Sequence, residues 1–183
     1  MTITVRSAAL AAVALLFAPA SANAALALGA KAPDFTTQGA LAGKIGTVKL
    51  SSELKKGPVV LYFFPAAFTK GCSAEAHEFA EHIDEFRKAG ATVIGMSADP
   101  IEKLADFSTK DCSNKFTVAR ADPTVIAEYD VALPANDKIQ AGLTNRTSYV
   151  IAPTGRVTYV HSEMSYIAHV KNTLAAVQSM SVK

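Results

Sequence analysis

The 183-residue sequence contains no tryptophan, two cysteines and four histidines. No Cys-x-x-Cys pair is present, since Ser73, Ala74 and Glu75 follow Cys72, so the usual dithiol of a disulfide exchanger is missing. The histidines do not build a metal helix either. Cys72, His77 and His82 are five residues apart, and steps of five turn a helix by ~500°, leaving successive side chains roughly 140° from one another. Zinc helices use steps of four, which share a face. His77, His82 and His169 are therefore read as surface helix residues, and His161 as a strand residue.

Other absences narrow the function further. Formal net charge is +2 and the Lys and Arg residues are scattered, which excludes an electrostatic nucleic-acid binder. The apolar run Ala8 to Ala18 falls short of the ~20 residues of a bilayer span and is followed by Pro19. The Gly39 to Gly46 stretch, GALAGKIG, lacks the GKS or GKT ending of a phosphate loop and reads as an ordinary turn.

Arg6, the apolar run and Ala22-Asn23-Ala24 together have the layout of a secretory signal peptide, cleaved behind Ala24. Export to the periplasm or an equivalent space is expected, with no membrane attachment after cleavage. Of the 18 basic residues only Arg6 lies in the leader, so 17 remain against 16 acidic ones in a mature chain of residues 25–183. That length suits one domain. Both cysteines fall within it, in a compartment that permits disulfides.

Pro58 to Phe64, PVVLYFF, has the composition of a strand buried on both faces. From about Cys72 to Lys88, Ala76, Phe79, Ala80, Ile83 and Phe86 recur at helical spacing. Ala91 to Ser97 gives a second strand, and Ile101 to Lys110 a second helix after Asp99-Pro100. Thr147 to Ala152 and Arg156 to His161 flank the turn Pro153-Thr154-Gly155 as a hairpin, and a last helix runs from about Tyr166 to Met180. The alternation predicts a layered α/β domain.

The segment Phe63 to Phe79, FFPAAFTKGCSAEAHEF, runs off the end of the first strand and sets Cys72 at a helix start. Unpaired N–H groups and the positive end of the macrodipole favour a thiolate there, and the thiolate is the nucleophilic form. Taken singly, Cys72 also fits an inert buried thiol, Thr69 a helix N-cap, Glu75 a first-turn acid and Arg146 a solvated strand-edge residue.

Pro65, Thr69 and Cys72 together resemble the peroxiredoxin motif P-x-x-x-T-x-x-C. Gly71-Cys72-Ser73-Ala74-Glu75-Ala76 resembles the G-C-[ST]-x-E-A run of the Q-type, or bacterioferritin-comigratory, branch, and Arg146 to Ile151 its arginine-bearing strand. The resemblance implies a thioredoxin-like fold with a central mixed β-sheet flanked by helices. It implies a thiol-dependent peroxidase acting on hydrogen peroxide and organic hydroperoxides, with no cofactor and no metal, reduced by a thioredoxin-like protein or a small thiol, as a monomer or homodimer. In that reading Cys72 attacks the peroxide, Arg146 favours the thiolate and the leaving oxygen, Thr69 orients the peroxide, Pro65 shields the pocket and Glu75 holds Arg146.

The chain departs from many Q-type members by placing His77 where a second cysteine stands five residues after the first. Cys112, at the end of the second helix, is then the resolving thiol that the resemblance implies, and its polar neighbours Asp111, Ser113 and Asn114 predict exposure. An incidental thiol or a permanent structural disulfide are the alternatives at Cys112. At the level of function the alternatives are a one-cysteine peroxidase resolved by an external thiol, a thioredoxin-like disulfide exchanger and a copper-binding redox protein.

Overall fold

The computed structural model describes residues 25–180; the expected leader lies outside the described residues. In chain order the elements are β1 (Thr36–Leu41), β2 (Lys44–Lys49), α1 (Leu50–Glu53), β3 (Val59–Phe63), α2 (Lys70–Lys88), β4 (Thr92–Ser97), α3 (Ile101–Lys110), β5 (Thr117–Arg120), α4 (Pro123–Glu128), β6 (Thr147–Ile151), β7 (Val157–Ser162) and α5 (His169–Met180). The strands form one seven-stranded mixed sheet in the order β2-β1-β5-β4-β3-β6-β7.

Strand β3 lies between β4, which is parallel to it, and β6, which is antiparallel. All five of its residues are buried. Side chains alternate across a strand, so Val60, Tyr62 and Phe64 enter one apolar cluster while Val59, Leu61 and Phe63 enter the other. The first cluster is closed by α2 through Ala76, Phe79, Ala80, Ile83 and Phe86, by α3 through Leu104 and Phe107, and by α5 through Val170, Leu174 and Val177. The second is closed by Leu50 and Leu54 and by Val125, Ile126 and Tyr129. Burial on both faces is why this strand reads as an unbroken apolar run.

The structure adds elements that composition does not announce. Gly39 to Gly46 is a β-hairpin rather than a turn alone, its two-residue turn being Ala42 and Gly43, both at positive φ, the combination that matches strand twist. Strand β2 sits at the sheet edge and is largely exposed, so it carries no apolar alternation. Strand β5 has four residues, too few to show a period. The last helix starts at His169, three residues later than the periodicity suggests, because a turn closed by His169 N–H on the Tyr166 carbonyl precedes it.

Two single-residue expectations are corrected. His169 is fully buried at the start of α5, not a surface residue, because it faces α2 and β6 rather than solvent. Cys112 is also fully buried. Of its polar neighbours, Ser113 and Asn114 take the exposed positions, while Asp111, itself buried, pairs with His77; the Lys115 ammonium donates to the Ala80 carbonyl at 2.9 Å, and Arg87 donates to the Lys115 carbonyl at 2.5 Å. These contacts fold the 111–115 turn onto α2 and direct the sulfur inward.

Tyr62 lies flat beside its register partner Gly95, where an added Cβ would stand 2.8 Å from the ring carbon Cζ. The ring is pinned from the other side by Phe79, with centroids 4.3 Å apart. Gly95→Ala should therefore destabilise the fold by about 1–3 kcal/mol, the usual cost of overpacking a core. Urea unfolding of the two proteins measures it, and an unchanged midpoint would show that the ring yields freely.

Candidate active site

The site is assembled at one end of the strands, where β3 ends and α2 and β6 begin. Strand β3 leads into residues 64–69, and Thr69, in an extended conformation, is the N-cap of α2. The Ser73 N–H donates to the Thr69 carbonyl at 2.8 Å, closing the first turn. Cys72 is thus the third helical residue, among the amides that have no partner within the helix. No side chain caps them. Strand β6 pairs with β3 so that Thr147 faces Phe63, which sets Arg146 beside the chain leaving β3.

Arg146 is 5% exposed, and its guanidinium has three partners. Nη2 donates to Cys72 Sγ at 3.4 Å, Nη1 donates to Glu75 Oε2, and Nε donates to the Met164 carbonyl at 3.0 Å. Cys72 and Glu75 stand three residues apart on one helix face, so one planar fork reaches both. Burial pushes the Glu75 carboxyl up, while the Arg146 charge and hydrogen bond pull it back toward the ionised form. Burial works against the Arg146 charge as well, but Glu75 and Cys72 offset this and hold the guanidinium above its ordinary value.

Pro65 is half-buried and Thr69 exposed on the segment before the helix. The Thr69 hydroxyl does not cap α2 but donates to the Ala66 carbonyl at 3.0 Å, leaving its oxygen lone pairs available as acceptors. The structure therefore brings Cys72, Glu75 and Arg146 into direct contact and sets Thr69 and Pro65 on the loop that precedes them. Cys112 stands apart: it is a free thiol in the same apolar cluster as Cys72, and burial pushes it well above the ordinary cysteine range.

Several residues that shape the site carry no sequence signal. Asp99 accepts from the Ala67 N–H at 2.6 Å and from the Ser97 hydroxyl at 2.8 Å, while Lys103 bonds its other oxygen at 2.7 Å. Thr144 donates to the Phe64 carbonyl at 2.7 Å. Together they pin the 64–69 loop from two sides. Asp99 reads in sequence only as half of a turn, because its partner lies 32 residues away.

The family model described as the AhpC/TSA family matches residues 28–160. The chain belongs to the AhpC/TSA family. A putative peroxiredoxin of Mycobacterium tuberculosis is 35% identical over 133 residues, which is 72% of this chain and 85% of the relative. The peroxiredoxin Bcp of Escherichia coli is 29% identical over 143 residues, 76% of this chain and 90% of that one. Among solved structures, the peroxidoxin BcpB of Mycobacterium tuberculosis is similar with a TM-score of 0.74 at 32% identity, over 84% of this chain and 97% of the other. This peroxiredoxin is accordingly a thiol-dependent peroxidase with the thioredoxin-like fold of those relatives.

The buried pair is asymmetric in what its loss should do. Glu75→Ala leaves the buried guanidinium without its carboxyl partner, only Cys72 Sγ and the Met164 carbonyl remaining, and should cost about 3–5 kcal/mol, as when one partner of a buried pair is removed. Glu75→Gln keeps an acceptor oxygen for Nη1 and should cost clearly less. Chemical denaturation of both variants distinguishes them, and equal losses would mean that the charge, which both variants remove, outweighs packing and the hydrogen bond at position 75.

Proposed function

We propose that this peroxiredoxin reduces hydrogen peroxide and organic hydroperoxides at Cys72, and the observation that carries the reading is the single guanidinium shared between Cys72 Sγ and Glu75. The thiolate attacks the distal oxygen of R–O–O–H. A sulfur–oxygen bond forms, the O–O bond breaks, and its electron pair leaves on the proximal oxygen, which takes up a proton and departs as water or an alcohol. Sulfur is oxidised by two electrons to a sulfenic acid. Arg146 stabilises the thiolate before attack and the leaving oxygen during it. Glu75 orients Arg146, the Thr69 oxygen accepts from the peroxide O–H, and Pro65 shields the pocket.

Cys112 resolves the sulfenic acid, forming a disulfide with Cys72 and releasing water; a thioredoxin-like dithiol or a small thiol then returns both sulfurs to thiols. A disulfide needs Cα atoms within ~7 Å and a thiolate to attack. Burial keeps Cys112 protonated, so opening of the 111–115 turn precedes resolution. The same burial favours a second reading, a one-cysteine cycle in which an external thiol attacks Cys72 directly.

Substitution separates the two cycles. Cys72→Ser should abolish the fast reaction with peroxide, because a serine hydroxyl is not ionised near neutral pH and forms no sulfenic acid. Cys112→Ser should retain the first turnover, accumulate a trappable sulfenic acid at Cys72 and over-oxidise more readily. Rapid-quench alkylation with intact-mass analysis reads both. Unchanged steady turnover in Cys112→Ser, with no Cys72–Cys112 disulfide in the unmodified protein, would establish the one-cysteine cycle.

The protein acts in the periplasm as a single mature domain of residues 25–183, monomeric or homodimeric. The leader layout supports this, as does the packing of Ala25 and Leu26 against the core directly behind the expected cleavage point, with the Leu26 N–H donating to the Tyr149 hydroxyl at 3.1 Å. N-terminal sequencing of protein from the periplasmic fraction of its native host should begin at Ala25. A cytoplasmic protein that still begins at Met1 would refute the location.

A further inference from the structure

We propose that His169 is a positioning residue of the peroxidatic centre: as a neutral imidazole carrying its proton on Nε2, it fastens the turn on which Arg146 is docked. The inference rests on the reading of Arg146 as the group that serves Cys72. His169 Nε2 lies 2.9 Å from the Glu163 carbonyl oxygen, which can only accept, so this nitrogen bears the hydrogen. His169 Nδ1 lies 2.8 Å from Ser148 Oγ and accepts from that hydroxyl. One tautomer satisfies both bonds.

One of these partners, Glu163, opens the turn that holds Arg146, and the other, Ser148, lies on the strand that Arg146 leads into. The Glu163 N–H donates to the Arg146 carbonyl at 3.1 Å, and the next residue, Met164, accepts from Arg146 Nε at 3.0 Å. The turn that His169 fastens thus grips Arg146 by both its main chain and its side chain. Ser148 is two residues beyond Arg146 and on the same face of the strand. His169 therefore ties down the strand and the turn between which the guanidinium is suspended.

Neutrality matters to this arrangement. A proton on Nδ1 would remove the acceptor that Ser148 uses and would set a charge 3.8 Å from Glu75 Oε1, which has no hydrogen-bond partner among the described residues, in competition with Arg146 for the carboxylate. The groups facing the ring are Glu75 on α2, Arg146 before β6, and His161 on β7, whose ring centroid is 4.5 Å away and whose Nε2 lies 3.7 Å from Glu163 Oε2. Burial, joined by His161 and Arg146 and opposed by the Glu163 and Ser165 backbone contacts, holds the imidazole down at about 4. The ring is neutral wherever the enzyme works near neutral pH.

The test is the second-order rate constant for oxidation of Cys72 by hydrogen peroxide, read by rapid-quench alkylation. His169→Leu, His169→Gln and Arg146→Ala are compared singly, and the His169 changes are repeated in the Arg146→Ala background. His169→Leu should slow oxidation about tenfold, within the range of coupling expected for contacting residues. His169→Gln, whose amide has a donor and an acceptor, should recover most of that rate. In Arg146→Ala the leucine change should cost nothing further. Equal slowing in both backgrounds would mark His169 as a merely structural residue and overturn the proposal. If Arg146→Ala slows oxidation and His169→Leu does not, the His169 inference falls while the Arg146 reading stands; if Arg146→Ala has no effect, both fall. Should the leucine variant fail to fold, the imidazole nitrogen-15 shifts of the unmodified protein decide: a neutral ring protonated on Nε2 from pH 7 to about 5 supports the proposal, and an Nδ1–H or doubly protonated ring refutes it.

Discussion

A guanidinium taken almost wholly out of water is the constraint around which this site is organised. Such a charge is costly to bury unless it is paired and its remaining N–H groups find acceptors. Arg146 meets that demand with a sulfur, a carboxylate and a main-chain carbonyl drawn from α2 and from the turn after β7. Each partner is useful for chemistry only because the charge is there. The sulfur gains a counter-charge for its ionised form, and the carboxylate keeps the fork aimed at the sulfur.

The sheet makes this possible by ordering strands so that β3 and β6 are neighbours although 83 residues separate Phe63 from Arg146. Apolar burial on both faces of β3 holds that pairing in register, and the register sets Arg146 opposite the chain entering α2. Slippage by one residue would turn the arginine to the other face of the sheet. Packing in the core and aim at the sulfur are therefore linked through a single strand pair.

The two sulfurs differ through their surroundings. Both are buried, yet Cys72 lies at a helix start with a guanidinium on it, whereas Cys112 lies at a helix end among apolar side chains, with Asp111 as the charged neighbour that further disfavours its ionisation. Position in the fold, more than residue type, sets the two thiols apart.

Much was legible in the sequence. The apolar run before Pro65, the helical spacing behind Cys72 and the linked segments at Thr69, Glu75 and Arg146 depend on local chemistry and short periods, which a linear reading detects. The alternation of strands and helices likewise pointed to the layered α/β fold. What escaped it were the edge hairpin and short strand, which bury too little to leave a pattern, the inward turn of Cys112, which polar neighbours disguised, and the burial of His169, a polar side chain whose partners lie elsewhere in the chain. The Asp99 bond to the 64–69 loop and the His169 bonds to Ser148 and Glu163 were equally silent, since hydrogen-bond partners distant in the chain have no periodicity. Sequence alone determined which residues could do the chemistry, because sulfur, guanidinium and carboxylate are written in the side chains; only tertiary structure decided which of them meet, because contact depends on strand register and helix packing.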